Sequence, residues 1–401
     1  MTDSPAPNPL PTEPAPPLLV TGYSMLSALG TGRQQHLDAL AAGRSGLGEH
    51  PIQLDFETAA GAVRQALPEL PADMQPWSTR LARMAYALLQ ELEEPLRRAR
   101  ARWRPDRIAV LLGTSTAGAE TTEVAYKQFV ESGSFPRDYD FQRQHTFGAV
   151  LSIVRQLAGV DGPSWMASTA CTSSGKTFAT AQRLIAAGAI DAAIVGGLDT
   201  LCTMTLTGFH ALQALDSAPC RPFRADRNGI SIGEGGAFAL VEREGDARVM
   251  IEGIGETSDA YHISAPHPEG SGAQAAMREA LQRAGRAPED VDHVNAHGTG
   301  TRLNDTAEAN AIQCVLGTDV PTVSTKAYTG HTLGAAAAIE MAFAACAIEE
   351  GWIPPAIGDG DIDPKIEVKI PTQRTTGTFQ RVLSNSFAFG GNNVSLLVAR
   401  A

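Results

Sequence analysis

The sequence predicts an α/β protein in which short βα units stack around a buried sheet. From Leu18 onward, short β-branched or apolar runs alternate with segments that have helical periodicity. The composition, with 43% hydrophobic and 19% charged residues, is that of a compact folded protein. The 401 residues are enough for two domain-sized units or for one large duplicated fold.

The first residues differ from the rest of the chain. Residues 1–17 contain seven prolines and almost no apolar residues, which predicts a disordered or extended tail. The remaining chain is predicted to form two similar halves, residues 18–245 and residues 246–401. A sequence repeat of fixed period is not visible, so this division follows from the order of strands and helices.

Strands and helices alternate in both halves. In the first half we predict strands at Ile108–Gly113 and Ala192–Gly197, and helical spacing runs from Leu81 to Leu92 and from Phe178 to Ile185. In the second half the predicted strands are Arg248–Ile254, Asp292–Ala296, Arg381–Ser386 and Asn393–Ala399, and the predicted helices are Ala273–Ala284 and Gly334–Glu349. The last helix is apolar on nearly all sides, which predicts that it is buried.

Charge, cysteine content and hydropathy argue against several classes of protein. The net charge of −12, without a dense basic run, argues against nucleic-acid binding. The five cysteines include no CxxC pair, which argues against a disulfide framework and a zinc site, and we expect no metal. Long apolar runs and the start of a signal peptide are both missing from the sequence. We therefore expect a cytoplasmic protein.

Cys171 is the candidate nucleophile. It lies between an apparent strand and a helix, in the sequence Ser-Thr-Ala-Cys-Thr-Ser-Ser-Gly. Small residues on both sides permit a sharp turn that presents the sulfur, and a helix that begins just after it is expected to lower the thiol pKa. A lone intracellular cysteine is usually a small buried hydrophobe, and we keep that interpretation for the other four.

His297 and His331 are the candidate acid–base groups. His297 follows an apparent strand in Ala-His-Gly-Thr-Gly-Thr, and His331 lies in Gly-His-Thr-Leu-Gly ahead of the predicted buried helix. A single histidine is more often structural than catalytic. Two histidines in glycine-lined turns at strand ends, however, occupy the positions where α/β sheets bind ligands.

Four motifs, taken in order, resemble those of the elongating β-ketoacyl synthases. They are Thr-Ala-Cys-Thr-Ser-Ser-Gly at Cys171, His-Gly-Thr-Gly-Thr at His297, Lys326 with Gly-His-Thr-Leu-Gly at His331, and Asn-Ser-Phe-Ala-Phe-Gly-Gly-Asn-Asn from Asn385. The resemblance runs from about Leu18 to the C-terminus. Within this family the chain is most similar to synthases of specialised pathways, such as those of bacterial aryl polyene clusters.

The resemblance implies the thiolase fold, in which two similar halves pack as five α-β-α-β-α layers, and a homodimer or a heterodimer with a ketosynthase-like subunit. It also implies that Cys171 takes an acyl group from the phosphopantetheine arm of an acyl carrier protein, with no other cofactor. His297 and His331 then promote decarboxylation of a malonyl carrier, and the resulting enolate attacks the thioester. The backbone N–H groups of Cys171 and Phe389 are the implied oxyanion hole.

Supporting roles follow from the same resemblance. Lys326 and Glu308 resemble an ion pair near the second histidine. Thr299 and Thr301 resemble the threonines that hold the pantetheine arm, although a turn hydroxyl also bonds its own backbone.

Aromatic and basic residues complete the implied site. Phe389 resembles a gate between the empty and acylated states, and Phe209 and Phe387 resemble residues that contact the substrate. Arg80 and Arg83 are candidates for docking the carrier protein, by family position. Since the chain is itself acidic, we expect docking to depend on a local basic patch.

Departures from the family pattern concern the substrate rather than the catalytic set. Arg224 and Asn228 stand where relatives commonly carry aspartate. Ala388 replaces a glycine beside the gate, and Asn392 replaces a threonine. These changes affect what is expected of loop mobility and substrate.

Four other functions share part of this pattern. A thiolase normally has a second cysteine near its C-terminus, and residues 387–393 contain none. Initiating, coenzyme-A-primed synthases have an asparagine in place of His331, and a cysteine hydrolase does not explain that histidine together with Lys326. The chain-length partner of a heterodimeric synthase typically loses the cysteine. It remains the alternative function.

Overall fold

The structure of the chain, a computed structural model, describes residues 16–401. The predicted tail therefore lies outside the described residues except for Pro16 and Pro17. The strands are β1 Leu18–Ser27, β2 Gly30–Thr31, β3 Ile108–Gly113, β4 Ser164–Ala167, β5 Ala192–Asp199, β6 Gly235–Glu242, β7 Val249–Ser258, β8 His293–Asn295, β9 Thr322–Val323, β10 Trp352–Ile353, β11 Thr375–Thr376, β12 Arg381–Phe387 and β13 Asn392–Arg400. The helices are α1 Gly32–Ala41, α2 Arg80–Glu91, α3 Glu93–Arg102, α4 Ala119–Ser132, α5 Phe141–Gln144, α6 Phe147–Ala158, α7 Ser173–Ala186, α8 Thr203–Ala211, α9 Ser271–Ala284, α10 Arg302–Leu316, α11 Lys326–Thr329 and α12 Ala336–Glu350, with short 3-10 turns at Ala72–Trp77, Pro105–Arg107, Pro288–Asp290 and Leu333–Ala335.

The main sheet repeats one strand order in its two halves. The order is β4-β3-β5-β6-β1 in the first half, continued by β7-β13-β12-β8-β9 in the second. Once the short β2 and the separate pair β10–β11 are set aside, each half runs from its outer edge through its third, second, fourth, fifth and first strands. The first two neighbouring pairs of each half are parallel and the next two are antiparallel. This repeat confirms the prediction of two similar halves.

The halves fold over a shared layer of helices. Alternate residues of a strand point to opposite faces, and in β5 Ala193 and Val195 join a cluster with α7 and α12, while Ile194 packs with α2 and α6. In β13, Leu396 faces the central cluster and Leu397 faces α9 and α10. The order is therefore helices, sheet, helices, sheet, helices, which gives the five predicted layers.

The predicted elements agree with these boundaries to within a few residues. Every residue of β3 is buried, as the continuous apolar run indicates. The alanine-rich helix is buried on nearly all sides but begins at Ala336 rather than at Gly334. The reason is that Leu333 has a φ of 51°, in the left-handed region, so the chain enters the helix through a 3-10 turn.

In the described part of the chain, none of the helices combines the length and the apolar composition needed to cross a bilayer.

Candidate active site

Cys171 lies in a strained turn between β4 and α7. The turn crosses from Ala167, the last residue of β4, to Ser173, the first residue of α7. Ala170 has a φ of 52°, which is unusual for a residue with a Cβ atom, and such backbone strain is common beside reactive groups. The thiol is 7% exposed, and it lines a cavity of about 510 Å³. The predicted turn between a strand and a helix is therefore present.

Two histidines reach the same point of the cavity from the second half of the chain. His331 follows α11, and its Nε2 lies 2.9 Å from the Sγ of Cys171. His297 follows β8, and its ring centroid lies 5.2 Å from that of His331, nearly perpendicular to it. Both side chains are buried, with exposed fractions of 2% and 3%. The fold thus brings together the three residues singled out in the sequence.

Burial governs the protonation state of Cys171. Loss of water raises the pKa of its thiol to about 12, and this outweighs the opposing effects of Lys326 and of two backbone N–H groups. The expectation that the start of α7 lowers the thiol pKa was therefore wrong in direction. In the resting site the thiol is neutral, and His331 is placed to accept its proton.

The two imidazoles are neutral as well. Burial, followed by the positive charge of Lys326, holds the pKa of both His297 and His331 well below the usual range. Neither Nδ1 atom has a hydrogen-bond partner among residues 16–401. A neutral imidazole can accept a proton on one nitrogen or donate the N–H of the other.

The ion pair expected between Lys326 and Glu308 was wrong. Lys326 instead binds Glu340, with 2.5 Å between Nζ and Oε1, and both side chains are buried. Glu308 accepts the backbone N–H groups of His297 at 2.8 Å and Gly298 at 2.7 Å. Its carboxylate is occupied by the turn that carries His297, which explains why another acid pairs with the lysine.

Glu340 and Asp305 were missed in the sequence. Glu340 is the lone acid in the middle of the apolar helix α12, and a single charge in a helix predicted to be buried is a signal that it has a partner. Asp305 accepts the backbone N–H groups of Thr299 and Gly300 and so shapes the turn after His297. Its only sequence signal is its position in the first turn of a helix, which many solvent-exposed acids share.

Two backbone donors influence the sulfur. The N–H groups of Phe389 and of Cys171 itself each lower the pKa of the thiol. The ring of Phe389 is 39% exposed and lies 5.8 Å from that of Phe209, and both line the cavity. Phe387 also lines the cavity, and its ring lies 6.0 Å from that of His297. The predicted aromatic residues therefore surround the path to the sulfur.

The mouth of the cavity has polar side chains on one wall. Thr299 and Thr301 line it, with their hydroxyl oxygens 3.0 Å apart. Thr301 also caps α10, since its hydroxyl accepts the N–H of Asn304. The Thr299 hydroxyl in turn accepts the N–H of Thr301, so both hydroxyls are partly used by the turn, as the structural interpretation of these threonines requires, while both residues line the cavity.

Arg80 and Arg83 lie outside the main cavity, on the first turn of α2. Arg80 donates to both carboxylate oxygens of the buried Glu234. Arg83 donates to the backbone oxygen of Leu67 and pairs with Glu69 at 3.0 Å. They border a small surface pocket. Docking of a carrier protein on these arginines stays a prediction.

The cluster of Cys171 and the two histidines could also coordinate a metal. Ligand atoms of Cys171, His297 and His331 lie within 4.8 Å of one another. Histidines in resident metal sites, however, usually donate their second N–H to a partner, and these two have none within residues 16–401. The arrangement fits proton transfer and oxyanion binding better than a permanent metal centre.

Two family profiles match the chain from residue 15 to residue 358. The profile described as "Beta-ketoacyl synthase, N-terminal domain" matches residues 15–247, and "Beta-ketoacyl synthase, C-terminal domain" matches residues 249–358. Together the two matches cover well over half of the sequence.

Individual relatives agree with the profiles. The 3-oxoacyl-[acyl-carrier-protein] synthase 2 of Mycobacterium tuberculosis is 32% identical over 416 residues, covering 96% of this chain and 97% of that protein. The protein of the same name from Staphylococcus aureus is 35% identical over 309 residues, covering 73% and 77%.

Solved structures extend the likeness to three dimensions. A chain from the complex of the ketosynthase ApeO with its chain length factor ApeC, from Xenorhabdus doucetiae, has a TM-score of 0.91 at 36% identity, covering 96% of this chain and 98% of that chain. A β-ketoacyl synthase from Burkholderia phymatum has a TM-score of 0.86 at 27% identity, covering 96% and 99%. The agreement spans almost the full length of each chain.

Proposed function

The chain belongs to the β-ketoacyl synthase family and has its thiolase fold, and we propose that it is a 3-oxoacyl-[acyl carrier protein] synthase with Cys171 as nucleophile. The reaction is a decarboxylative condensation of an acyl group, held as a thioester on Cys171, with malonyl carrier protein. The observation that carries this proposal is the 2.9 Å contact between the Cys171 Sγ and the His331 Nε2, with His297 beside it.

The first half-reaction loads Cys171. The thiol gives its proton to the neutral His331 as the sulfur attacks the thioester carbonyl of an acyl carrier protein. Negative charge develops on the carbonyl oxygen, and the N–H groups of Cys171 and Phe389 bind it. The carbonyl re-forms, the pantetheine thiol leaves with the proton, and the acyl group remains on the enzyme.

The second half-reaction uses the two imidazoles as donors. A malonyl carrier enters, and His297 and His331 donate N–H groups to its thioester carbonyl. The carboxylate leaves as carbon dioxide, and its bonding electrons form an enolate whose charge these donors bind. The enolate carbon attacks the acyl thioester, and the Cys171 sulfur leaves as a thiolate, which then takes a proton from solvent water. The low pKa of His297 and His331 suits this role. Each ring stays neutral, so it donates an N–H hydrogen bond to the enolate oxygen without transferring the proton.

The phosphopantetheine arm enters along the wall formed by Thr299 and Thr301. Its amides suit hydroxyl partners, and the acyl chain then meets the aromatic rings of Phe209, Phe387 and Phe389. We assign no cofactor beyond this arm. Because the arm stays covalently attached to the carrier protein, it must reach the sulfur from the surface. This accounts for a site that is open at the surface and closed at the sulfur.

A second ketosynthase-like subunit completes the protein, either a copy of this chain or a chain length factor. Tyr126, Phe129 and Phe135 are exposed and stack on one another, with ring centroids 6.0 and 4.8 Å apart. The edge strand β4 exposes Trp165. Exposed aromatic groups and an open sheet edge are features that a subunit interface covers. The intact contact between Cys171 and His331 favours the catalytic subunit over the chain-length partner.

The proposal is tested by intact mass. The protein, alone and with its partner subunit, is incubated with a panel of acyl carrier proteins that carry saturated, polyene and aromatic acyl groups. We expect a mass increase equal to one acyl group, which disappears in Cys171→Ala and persists in the matched variant Cys220→Ala. If no carrier acylates the protein, or if the increase persists in Cys171→Ala, the proposed function is wrong.

A further inference from the structure

The carboxylate of Asp199 lies at the centre of a hydrogen-bond cluster that the steps above leave unused. Asp199 ends β5 and is fully buried. Its Oδ1 accepts the hydroxyl of Thr114 at 2.6 Å, and the hydroxyl and N–H of Thr116 at 2.7 and 2.8 Å. The N–H of Ser115 lies 2.9 and 3.0 Å from the two oxygens. All of these donors are uncharged groups of the loop at residues 114–116. The loop therefore stabilises the carboxylate, and the carboxylate in turn fixes the conformation of the loop.

The same carboxylate reaches the segment that carries His331. Its Oδ2 accepts the N–H of Gly334 at 2.7 Å, three residues after that histidine. A Cβ atom on Gly334 would lie 2.8 Å from this oxygen, so the approach requires glycine. Asp199 therefore fixes the chain just past the imidazole that contacts the sulfur.

A further bond reaches the turn of Cys171. The hydroxyl of Ser115, whose backbone Asp199 holds, donates to the carbonyl of Ala170 at 3.3 Å. Ala170 immediately precedes the nucleophile and has the positive φ described above. Ala117 and Leu333, which flank the two clamped segments, also have positive φ values, of 47° and 51°. Strained backbone persists where surrounding contacts over-determine it, and Asp199 binds Thr116 and Gly334, the residues next to Ala117 and Leu333.

We propose that Asp199 is a positioning residue that holds the Cys171 turn and the His331 segment in register, so that the sulfur and the Nε2 meet at 2.9 Å. His297 is held separately, through the backbone bonds to Glu308. The inference deepens the proposed function and depends on it for its biological meaning. The alignment of sulfur and imidazole can nevertheless be measured without carrier or acyl substrate.

The test is the rate at which iodoacetamide alkylates Cys171, measured by peptide mapping against pH, with the exposed Cys314 as internal reference. When a thiol transfers its proton to a neutral imidazole as it reacts, the alkylation rate changes little with pH between the pKa of the imidazole and the pKa of the thiol. In Asp199→Asn we expect at least tenfold slower alkylation at pH 7 and a rate that rises about tenfold per pH unit, as for an unassisted thiol.

The matched control is Asp191→Asn at the opposite end of the same strand. Asp191 is also buried, but it pairs with Arg107 and Arg243, away from the cavity. We expect it to keep the wild-type pH profile even if its melting temperature falls. An Asp199→Asn protein with the wild-type rate and profile would overturn the proposal, and so would an equal change in Asp191→Asn.

A milder variant keeps the test decisive if Asp199→Asn does not fold. Ser115→Ala removes the bond to Ala170 and leaves the carboxylate and its backbone donors in place. We expect alkylation of Cys171 to slow several-fold, whereas an unchanged rate contradicts the link. Failure of every acyl carrier to load the wild-type protein would instead count against the proposed function, and leave the alkylation result standing.

Discussion

The two halves of the chain share one strand order but supply different chemistry. Beyond the third strand of the first half, β4, the chain makes the Cys171 turn and enters the central helix α7. Beyond the third strand of the second half, β9, it passes through α11 and His331 and enters the central helix α12. Equivalent places in a repeated fold thus hold the proposed nucleophile in one half and its proposed proton acceptor in the other.

The halves also differ in how each catalytic group is held. The first half positions Cys171 with a strained backbone and the uncharged donors around Asp199. The second half likewise uses a buried carboxylate with uncharged backbone donors, Glu308 beneath His297, and adds the buried ion pair of Lys326 with Glu340. In the proposed mechanism, acyl loading uses Cys171 from the first half and His331 from the second, whereas decarboxylation uses His297 and His331, which both belong to the second half.

Replacing the nucleophile should give the largest effect. Cys171→Ala is expected to lose acyl-enzyme formation entirely and to slow condensation on the order of 10⁴-fold or more, because no other group forms the thioester. Residual release of labelled carbon dioxide from malonyl carrier should persist, since the imidazoles remain. Complete loss of that release, in a protein that still folds, would mean that the division between halves is wrong.

Removing the buried cation should affect stability most strongly. Lys326→Met leaves Glu340 buried without its partner, and we expect a loss of about 3–5 kcal/mol in the free energy of unfolding. The control is Lys176→Met on α7, whose partly exposed pair with Glu256 should contribute about 1 kcal/mol or less. Denaturant titration compares the two. Equal losses of unfolding free energy in the two variants would show that the buried pair of Lys326 with Glu340 does not stabilise the second half as described.

The pH dependence of stability gives a smaller effect, which should be similar for one buried histidine in each half. Burial lowers the pKa of His36 and of His293 to about 4 in the folded chain. Below about pH 6.5 the unfolded chain binds protons that the folded chain does not. The free energy of unfolding should therefore fall as pH falls from 6.5 towards 4, by about 1.4 kcal/mol per pH unit for each histidine.

Single variants measure these two contributions separately. His36→Gln and His293→Gln should each reduce the slope of unfolding free energy against pH between 6 and 5 by that amount, measured by urea titration. A slope unchanged in either variant would contradict the neutral state assigned to that histidine.

The sequence predicted most of the fold because its strands and helices have clear periodicity. The boundaries of β3, β12 and α12 were recovered within two residues, since continuous apolar runs mark buried elements in either half. The repeated strand order, in contrast, depends on pairings between distant segments, and no fixed-period repeat reveals it. The resemblance to a known family implied two similar halves but not the order of their strands.

At the site, the sequence found the three reacting groups but not their supports. Cys171, His297 and His331 stand in glycine-rich or small-residue turns, which are visible locally. The partner of Lys326 was misassigned because pairing is set by tertiary packing, and Glu340 lies fourteen residues away on another helix. The thiol pKa was predicted in the wrong direction because burial of the turn, which no local pattern records, outweighs the start of α7.

The most direct test of the division between halves is His297→Ala, followed in two assays at once. Intact mass reports the acyl-enzyme, and labelled carbon dioxide with product analysis reports decarboxylation and condensation. We expect acylation of Cys171 near the wild-type level, while carbon dioxide release and condensation fall on the order of 100-fold or more, because one oxyanion donor is lost. A His297→Ala protein that condenses at the wild-type rate, or one that no longer acylates Cys171, would contradict this account.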